Sequence, residues 1–252
     1  MAYTPNKDRW YTKDAFARNL FLFVASLTIV ISAAPVTAQE GKMVIDKVIA
    51  AYGGRERLSK VKAIAAEGRI TAIMRNDEGA YRRTLRRDGN LFVDIVYSRS
   101  SERRILHKDK GYRGTGGKME EVSGPRLLAM VYQYNELNLP YGLLDDTFKV
   151  ISLRKDAVNG ETVQVLRLAD RTGNQMDVSV NAGNYRIMKC EGFFVMGTES
   201  TSLSAEFDNF KTVDGVLLPF KVINYAGGMK ISVTSIDHYQ INPAIDDALF
   251  MP

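Results

Sequence analysis

The side chains that could act as nucleophiles, bases or metal ligands are few and scattered along this chain. Its two histidines, His107 and His238, lie far apart in the sequence, and its single cysteine, Cys190, lies in an apolar, strand-like segment. No His-Glu-x-x-His, Cys-x-x-Cys or Gly-x-Ser-x-Gly motif occurs. The sequence therefore predicts no metal site, no cofactor and no catalytic centre, and it predicts a buried, unreactive thiol at Cys190.

Three weaker patterns allow other chemistry. Residues 237–239, Asp-His-Tyr, could orient an imidazole for hydrolysis, although a histidine near a strand end more often faces water. The acidic pairs at 145–146 and 246–247 are typical of residues that begin turns or helices. The glycine-rich stretch 111–117 follows a strand without opening a helix, so it does not match a phosphate-binding loop.

The first 38 residues have the composition of a secretory leader. Four basic residues precede an apolar run over 20–34, and the stretch ends in Val36-Thr37-Ala38, with small side chains where signal peptidase requires them. The run falls short of the roughly 20 residues that a membrane-spanning helix needs. We expect cleavage after Ala38 and a single exported domain over 39–252; an uncleaved membrane anchor is the alternative.

Charge and cysteine content narrow the function classes. The formal net charge is +5, from 34 Lys and Arg against 29 Asp and Glu, which is too small a surplus to indicate nucleic-acid binding. Arginines cluster at 82–87 and 99–104, either on solvated strand faces or toward an anionic surface. One cysteine cannot form an intramolecular disulfide, so an apolar core must hold the domain together.

The periodicity predicts a mainly β domain with three helical segments. Apolar residues recur at helical spacing over 43–52, Gly53-Gly54 ends that helix, and a short helix follows over 55–60. Alternating runs separated by Asn-Gly, Asp-Gly and Gly-Gly turns predict antiparallel neighbours. The eleven predicted strands cover 64–75, 79–86, 90–97, 102–108, 147–154, 161–169, 175–181, 184–195, 201–210, 216–225 and 229–239.

A second amphipathic segment, 124–144, interrupts the strands and begins as a helix before becoming a Leu-rich loop. Its apolar face can be buried only against the sheet, so we expect one curved antiparallel sheet, an incomplete β-barrel, covered by the first helix and by this inserted helix and loop. Such a fold either leaves an apolar groove between its layers or packs it completely, and periodicity does not distinguish the two.

Four stretches carry a family resemblance: Ala-Tyr-Gly-Gly at 51–54, Glu-Gly-Arg-Ile at 67–70, the Pro-ended strand pair at 207–220, and the tail at 241–250. In these stretches the chain resembles the periplasmic outer-membrane lipoprotein carrier (LolA-like) superfamily, especially its outer-membrane lipoprotein-sorting-like members. The resemblance spans nearly all of 39–252. It implies a half-barrel with a helical lid over a hydrophobic cavity that shields acyl chains in the periplasm, without a cofactor.

The resemblance and the strand pattern together give the predicted ligand site. Arg69, in the first strand, is the nearest candidate by position for an arginine that holds the lid, and an exposed strand residue is the alternative. Phe92 and Val96 offer an opposite apolar face on the second wall strand, so the inward parity stays open. The predicted cavity and lid residues are Ile70, Ala72, Met74, Leu91, Val93, Ile95, Leu127, Leu128, Met130, Val131 and Tyr134.

Three functions remain open at this point. The first is a periplasmic, monomeric carrier that shelters a lipid or a lipidated protein during envelope transport. The second is a lipid-responsive sensor of the same fold that binds an envelope membrane-protein partner. The third is an envelope lipid hydrolase that uses His238.

Overall fold

The computed structural model describes residues 38–115, 117–196 and 199–252. The predicted leader therefore lies outside the described residues except for Ala38, with which the first helix begins. No described helix combines the length and the apolar character needed to cross a membrane.

All of the strands in the described residues belong to one antiparallel sheet of 13 strands, in the order β6-β5-β4-β3-β2-β1-β13-β12-β11-β10-β9-β8-β7. Two meanders, β1–β6 and β7–β13, meet where β1 pairs with β13, and the sheet is not closed into a barrel. The strands are β1 Ala63–Ala72, β2 Asp77–Arg86, β3 Asn90–Tyr97, β4 Ser101–His107, β5 Lys110–Thr115, β6 Lys118–Val122, β7 Phe148–Val158, β8 Glu161–Asp170, β9 Gln175–Asn181, β10 Ile187–Met196, β11 Glu199–Val213, β12 Val216–Ala226 and β13 Met229–Ile241.

The predicted single antiparallel sheet is confirmed, with two more strands than the eleven expected. The additional pair is β5 and β6, which includes the glycine-rich stretch 111–117. Glycine weakens strand propensity, so this hairpin carries little sequence signal. Gly111 leaves room for α3, since an added Cβ would lie 2.9 Å from Leu127 Cδ1, which would then have to shift.

The helices follow the predicted positions closely. Helix α1 is Ala38–Ala51 and begins before the predicted residue 43, α2 is Arg55–Lys60 as predicted, and α3 is Gly124–Leu137. The predicted Leu-rich loop after α3 contains a 3₁₀ turn, Tyr141–Leu143. Pro125 lies in the first turn of α3, where its missing N–H breaks no helical hydrogen bond.

Helix α3 lies against both halves of the sheet, because it contacts β4 and β5 on one side and β10 on the other. In a flat sheet, the seven strand spacings from β4 to β10 would separate these strands by about 34 Å. A helix with its side chains is only about 10–12 Å wide. The sheet must therefore curve around α3, with the helix on its concave face.

The convex face carries a separate small apolar cluster. Phe250, which is fully buried, packs with Phe92 and Ile105. It belongs to a C-terminal 3₁₀ turn that begins after Asp246, whose side chain accepts a hydrogen bond from the Ala248 N–H at 2.9 Å. The chain end thus covers the outer side of β3 and β4.

We predict that Phe250→Ala lowers the free energy of unfolding by about 3–5 kcal/mol, because it removes a fully buried ring from this cluster. Urea unfolding followed by circular dichroism measures the change. Met251 is 54% exposed, so Met251→Ala serves as the control and is expected to change stability by less than about 0.5 kcal/mol. Equal effects of the two variants would contradict the assigned role of Phe250.

Candidate functional site

A partly open cavity of about 490 Å³ lies between α3 and the concave face of the sheet. This volume lies within the roughly 300–1,000 Å³ that is usual for small-ligand sites. Apolar side chains from both halves of the sheet and from α3 form most of its wall; among them are Ile70, Ala72, Ile95, Met130, Phe194, Val222 and Ile236.

Five of the predicted cavity and lid residues line this cavity, namely Ile70, Ala72, Met74, Ile95 and Met130. On β3 the odd-numbered residues face the concave side, whereas Phe92 packs on the convex side and Val96 is exposed. The structure thus shows that the odd-numbered residues of β3 face inward, a point that the sequence left open. Whether these side chains bind a ligand stays a prediction.

The other six predicted residues lie near the cavity but do not line it. Leu91 and Val93 are fully buried in the main core, which continues below the cavity. Leu127 lies against Gly111, Leu128 lines a smaller hollow of about 50 Å³, and Val131 packs against the main core.

The sixth, Tyr134, anchors α3 to the sheet instead. Its hydroxyl accepts a hydrogen bond from the Gly89 N–H at 3.1 Å. Gly89 lies in the turn between β2 and β3, so this contact fixes the C-terminal half of α3 to that hairpin.

Arg69 does not lie beside the lid. It is exposed, and it alternates along β1 with Ile70 and Ala72, which line the cavity. Among the arginines that line the cavity, the buried one is Arg83 on β2, which is only 9% exposed. The sequence holds a signal for it, since Tyr81 and Leu85 at alternate positions are apolar and Arg83 must share their face.

Arg83 is held in place by polar contacts. Its Nη2 donates a hydrogen bond to the Tyr239 hydroxyl at 3.2 Å, and that hydroxyl donates to the Pro219 carbonyl at 2.6 Å. A buried guanidinium without such partners would be costly. This chain of contacts ties β2 to β13 and β12.

Glu136 on α3 lines the same cavity and is only 7% exposed. Burial disfavours its ionised form and raises the pKa of Glu136 to about 8, although the charge of Arg83 acts in the opposite direction. At neutral pH the carboxyl is therefore mainly protonated, and the cavity wall gains little negative charge from it.

A cluster of arginines surrounds the second acidic residue of the cavity, Glu102 on β4. Its carboxylate lies 3.4 Å from Arg75 Nη2, 3.1 Å from Arg104 Nε and 3.0 Å from Arg113 Nη2. Burial favours the neutral acid, but the three guanidiniums outweigh it and lower the pKa of Glu102. Glu102 therefore stays ionised at neutral pH.

Arg104 also links the cluster to α3. Its Nη1 donates a hydrogen bond to Gln133 Oε1 at 3.0 Å. Arg126, in the first turn of α3, lines the same cavity. The cavity thus combines an apolar wall with a strongly basic one.

The remaining chemical candidates do not converge on a site. Cys190 is buried, as predicted, and burial raises the pKa of its thiol well above the usual value. His238 is exposed on β13 and does not line the cavity. Asp145 and Asp246 accept hydrogen bonds from backbone N–H groups two residues ahead, as turn-forming acids do. Within the described residues, no group of three or more His, Cys, Asp or Glu side chains is placed to hold a metal.

Comparison with known proteins identifies the fold. No protein-family model and no curated protein matches the chain. Among solved structures, a domain assigned to an outer membrane lipoprotein-sorting protein of Vibrio parahaemolyticus superposes with a TM-score of 0.56 at 13% identity, over 85% of this chain and 97% of that one. A LolA superfamily protein from Nitrosomonas europaea superposes with a TM-score of 0.54 at 17% identity, over 86% and 98%.

This chain has a LolA-like fold. A DUF1329 family protein from Desulfovibrio piger shares it, with a TM-score of 0.55 at 12% identity over 83% of this chain and 96% of that one. At such low identity the likeness concerns the arrangement of strands and helices. The predicted LolA-like architecture is thereby confirmed, while the cavity residues must be judged from their own geometry.

The buried carboxyl of Glu136 leads to a pH-dependent prediction. Its pKa is higher in the folded chain, about 8, than the 4.5 of an exposed glutamate, so its contribution to stability falls as pH rises between these values. Glu136→Gln removes this titration. We expect the free energy of unfolding of the variant, relative to the unsubstituted chain, to rise by about 2–4 kcal/mol between pH 5 and pH 8.5.

Urea unfolding at several pH values measures this difference. Glu121→Gln alters an exposed carboxyl on β6, so this control is expected to track the unsubstituted chain throughout. A pH-independent difference for Glu136→Gln would show that Glu136 is not the titrating group.

Proposed function

We propose that this chain is an exported periplasmic binding protein that shelters a lipid, or the acyl chains of a lipidated protein, during envelope transport. The observation that carries the proposal is the apolar cavity of about 490 Å³ beneath α3. The leader-like residues 1–38 support export, with cleavage after Ala38. In this proposal the protein acts as a monomer. It needs no cofactor, because sheltering a ligand requires no chemical step.

The physical basis is burial of hydrocarbon. Each methylene group that leaves water contributes roughly 0.8 kcal/mol. An acyl chain against side chains such as Ile70, Ile95 and Ile236 gains this energy without any directed polar contact. Met130, an unbranched and polarisable side chain on α3, adapts to chains of different shape.

Helix α3 serves as the lid in this proposal. It begins at Gly124, whose backbone φ of 56° is one that residues with a Cβ rarely adopt. A Cβ added to Gly124 would meet no atom within 4 Å, so the backbone there is not packed against a neighbour. The other end is fixed by the Tyr134 contact with Gly89. Movement is therefore expected at the N-terminal end of α3, beside the cavity.

Native mass spectrometry of the protein, expressed with its leader and purified from a bacterial periplasm, tests the proposal directly. Co-purifying acyl species that appear on lipid extraction would support it, and the intact mass would show whether the chain begins at Gln39. A ligand-free mass, with no uptake of lysolipids or fatty acids on titration, would contradict it.

Filling the cavity provides a matched test by mutation. Ala72 lines the cavity, whereas Ala80 on the neighbouring strand β2 is exposed on the convex side. We predict that Ala72→Phe weakens uptake of a fluorescent fatty acid at least tenfold, because the ring occupies the ligand volume, and that Ala80→Phe leaves uptake unchanged. Equal affinity of the two variants, with both folded by circular dichroism, would place the ligand elsewhere.

A further inference from the structure

We infer that the cavity selects an anionic amphiphile, with its negatively charged head group among Arg75, Arg104, Arg113 and Arg126 and its hydrocarbon tail on the apolar wall. The inference rests on the proposed function, because it names the ligand class of the same cavity. It requires more than exposed charge: the arginines must share the cavity, and their charge must exceed what the protein itself neutralises.

The sheet register places the arginines together. Arg104 on β4 pairs directly with Arg113 on β5, so their side chains lie side by side on the concave face. Like charges in directly opposite positions destabilise a sheet unless an anion lies between them. Arg75, in the 3₁₀ turn after β1, approaches the same point from the other side of Glu102.

One carboxylate cannot satisfy this cluster. Glu102 offers two oxygens, and Arg75, Arg104 and Arg113 each carry five N–H donors. The Nε of Arg104 is buried and makes no properly aligned hydrogen bond, although it lies 3.1 Å from a Glu102 oxygen. A buried donor that is poorly aligned with its acceptor can take a further oxygen acceptor from the cavity.

The lid adds further positive charge at the same cavity. Arg126 has no ion-pair or hydrogen-bond partner within the described part of the chain, and it lies in the first turn of α3, where the helix dipole favours negative charge. Opposing negative charge is small, since the only other acidic residue of the wall, Glu136, is mainly protonated at neutral pH.

An isolated anion site would not need the apolar wall that adjoins these arginines. Ile70, Ala72 and Ile95 line the same cavity as the cluster. Guanidinium groups bind carboxylate and phosphate through paired hydrogen bonds, so either head group fits the chemistry. The combination of basic and apolar walls in one cavity points to a single molecule that carries both features.

Isothermal titration calorimetry with four oleoyl probes tests the inference. Lysophosphatidylglycerol and oleate carry a net negative head, whereas lysophosphatidylcholine and monooleoylglycerol carry the same tail without net charge. All four are used below their critical micelle concentrations. We expect both anionic probes to bind at least tenfold more tightly than the two probes without net charge, and we expect inorganic phosphate alone to bind negligibly.

Arginine variants assign any preference to the cluster. Arg113→Gln and Arg126→Gln are each expected to weaken binding of the anionic probes about tenfold, since a hydrogen bond to a charged group is lost, and to leave binding of monooleoylglycerol, which has no anionic group, unchanged. Arg103→Gln is the control: Arg103 lies beside Arg104 on the convex face, and its side chain is 46% exposed against 48% for Arg113.

The outcomes separate the two proposals. Equal binding of all four probes would overturn the anionic preference and leave the lipid-binding function intact. Binding of none would overturn both. Tight binding of inorganic phosphate would show an anion site that is independent of lipid, and an equal loss in Arg103→Gln would show a general charge effect; either result overturns the inference.

Discussion

The constraint on which the structure depends is the contact of one helix with strands from both halves of a 13-stranded sheet. The contact is close at two points, where the strands under α3 carry glycine. On β5, the side chain of Leu127 approaches Gly111. On β10, a Cβ added to Gly192 would lie 2.5 Å from the ring of Tyr132. The two glycines thus let both halves of the sheet lie close to the helix.

Curvature around a single helix also explains why a cavity remains. A concave surface formed by so many strands is wider than one helix can cover. The C-terminal half of α3 is held closely, by the Tyr134 contact with Gly89, while Pro125 and Arg126 at its N-terminal end border open space. Polar groups that face this space need partners, which Arg83 finds in Tyr239, whereas Glu136 takes up a proton.

Sequence periodicity was sufficient for the helices, for eleven of the strands and for the mainly β architecture, because turn chemistry and alternation are local properties. It missed the β5–β6 hairpin, since Gly111 and Gly114 weaken the strand signal of β5. For the site, alternation along β1 located Ile70 and Ala72. Arg69 was the candidate by position, and recognising Arg83 as a cavity residue required the parity of β2. The cluster around Glu102 joins residues distant in sequence, so only strand pairing reveals it.

Along β3 the concave face changes from apolar to charged residues, and this change separates the packed core from the cavity. On β3, Leu91 pairs with Leu85 and Leu106 in an apolar row that is fully packed. The next concave row joins Val93 to Arg83 and Arg104, and the row after it joins Ile95 to Glu102. Charged side chains therefore begin one row above this packed row. The apolar Ile95 and the ionised Glu102 pair across two neighbouring strands of the cavity wall, so apolar and charged surfaces lie about 5 Å apart within the cavity.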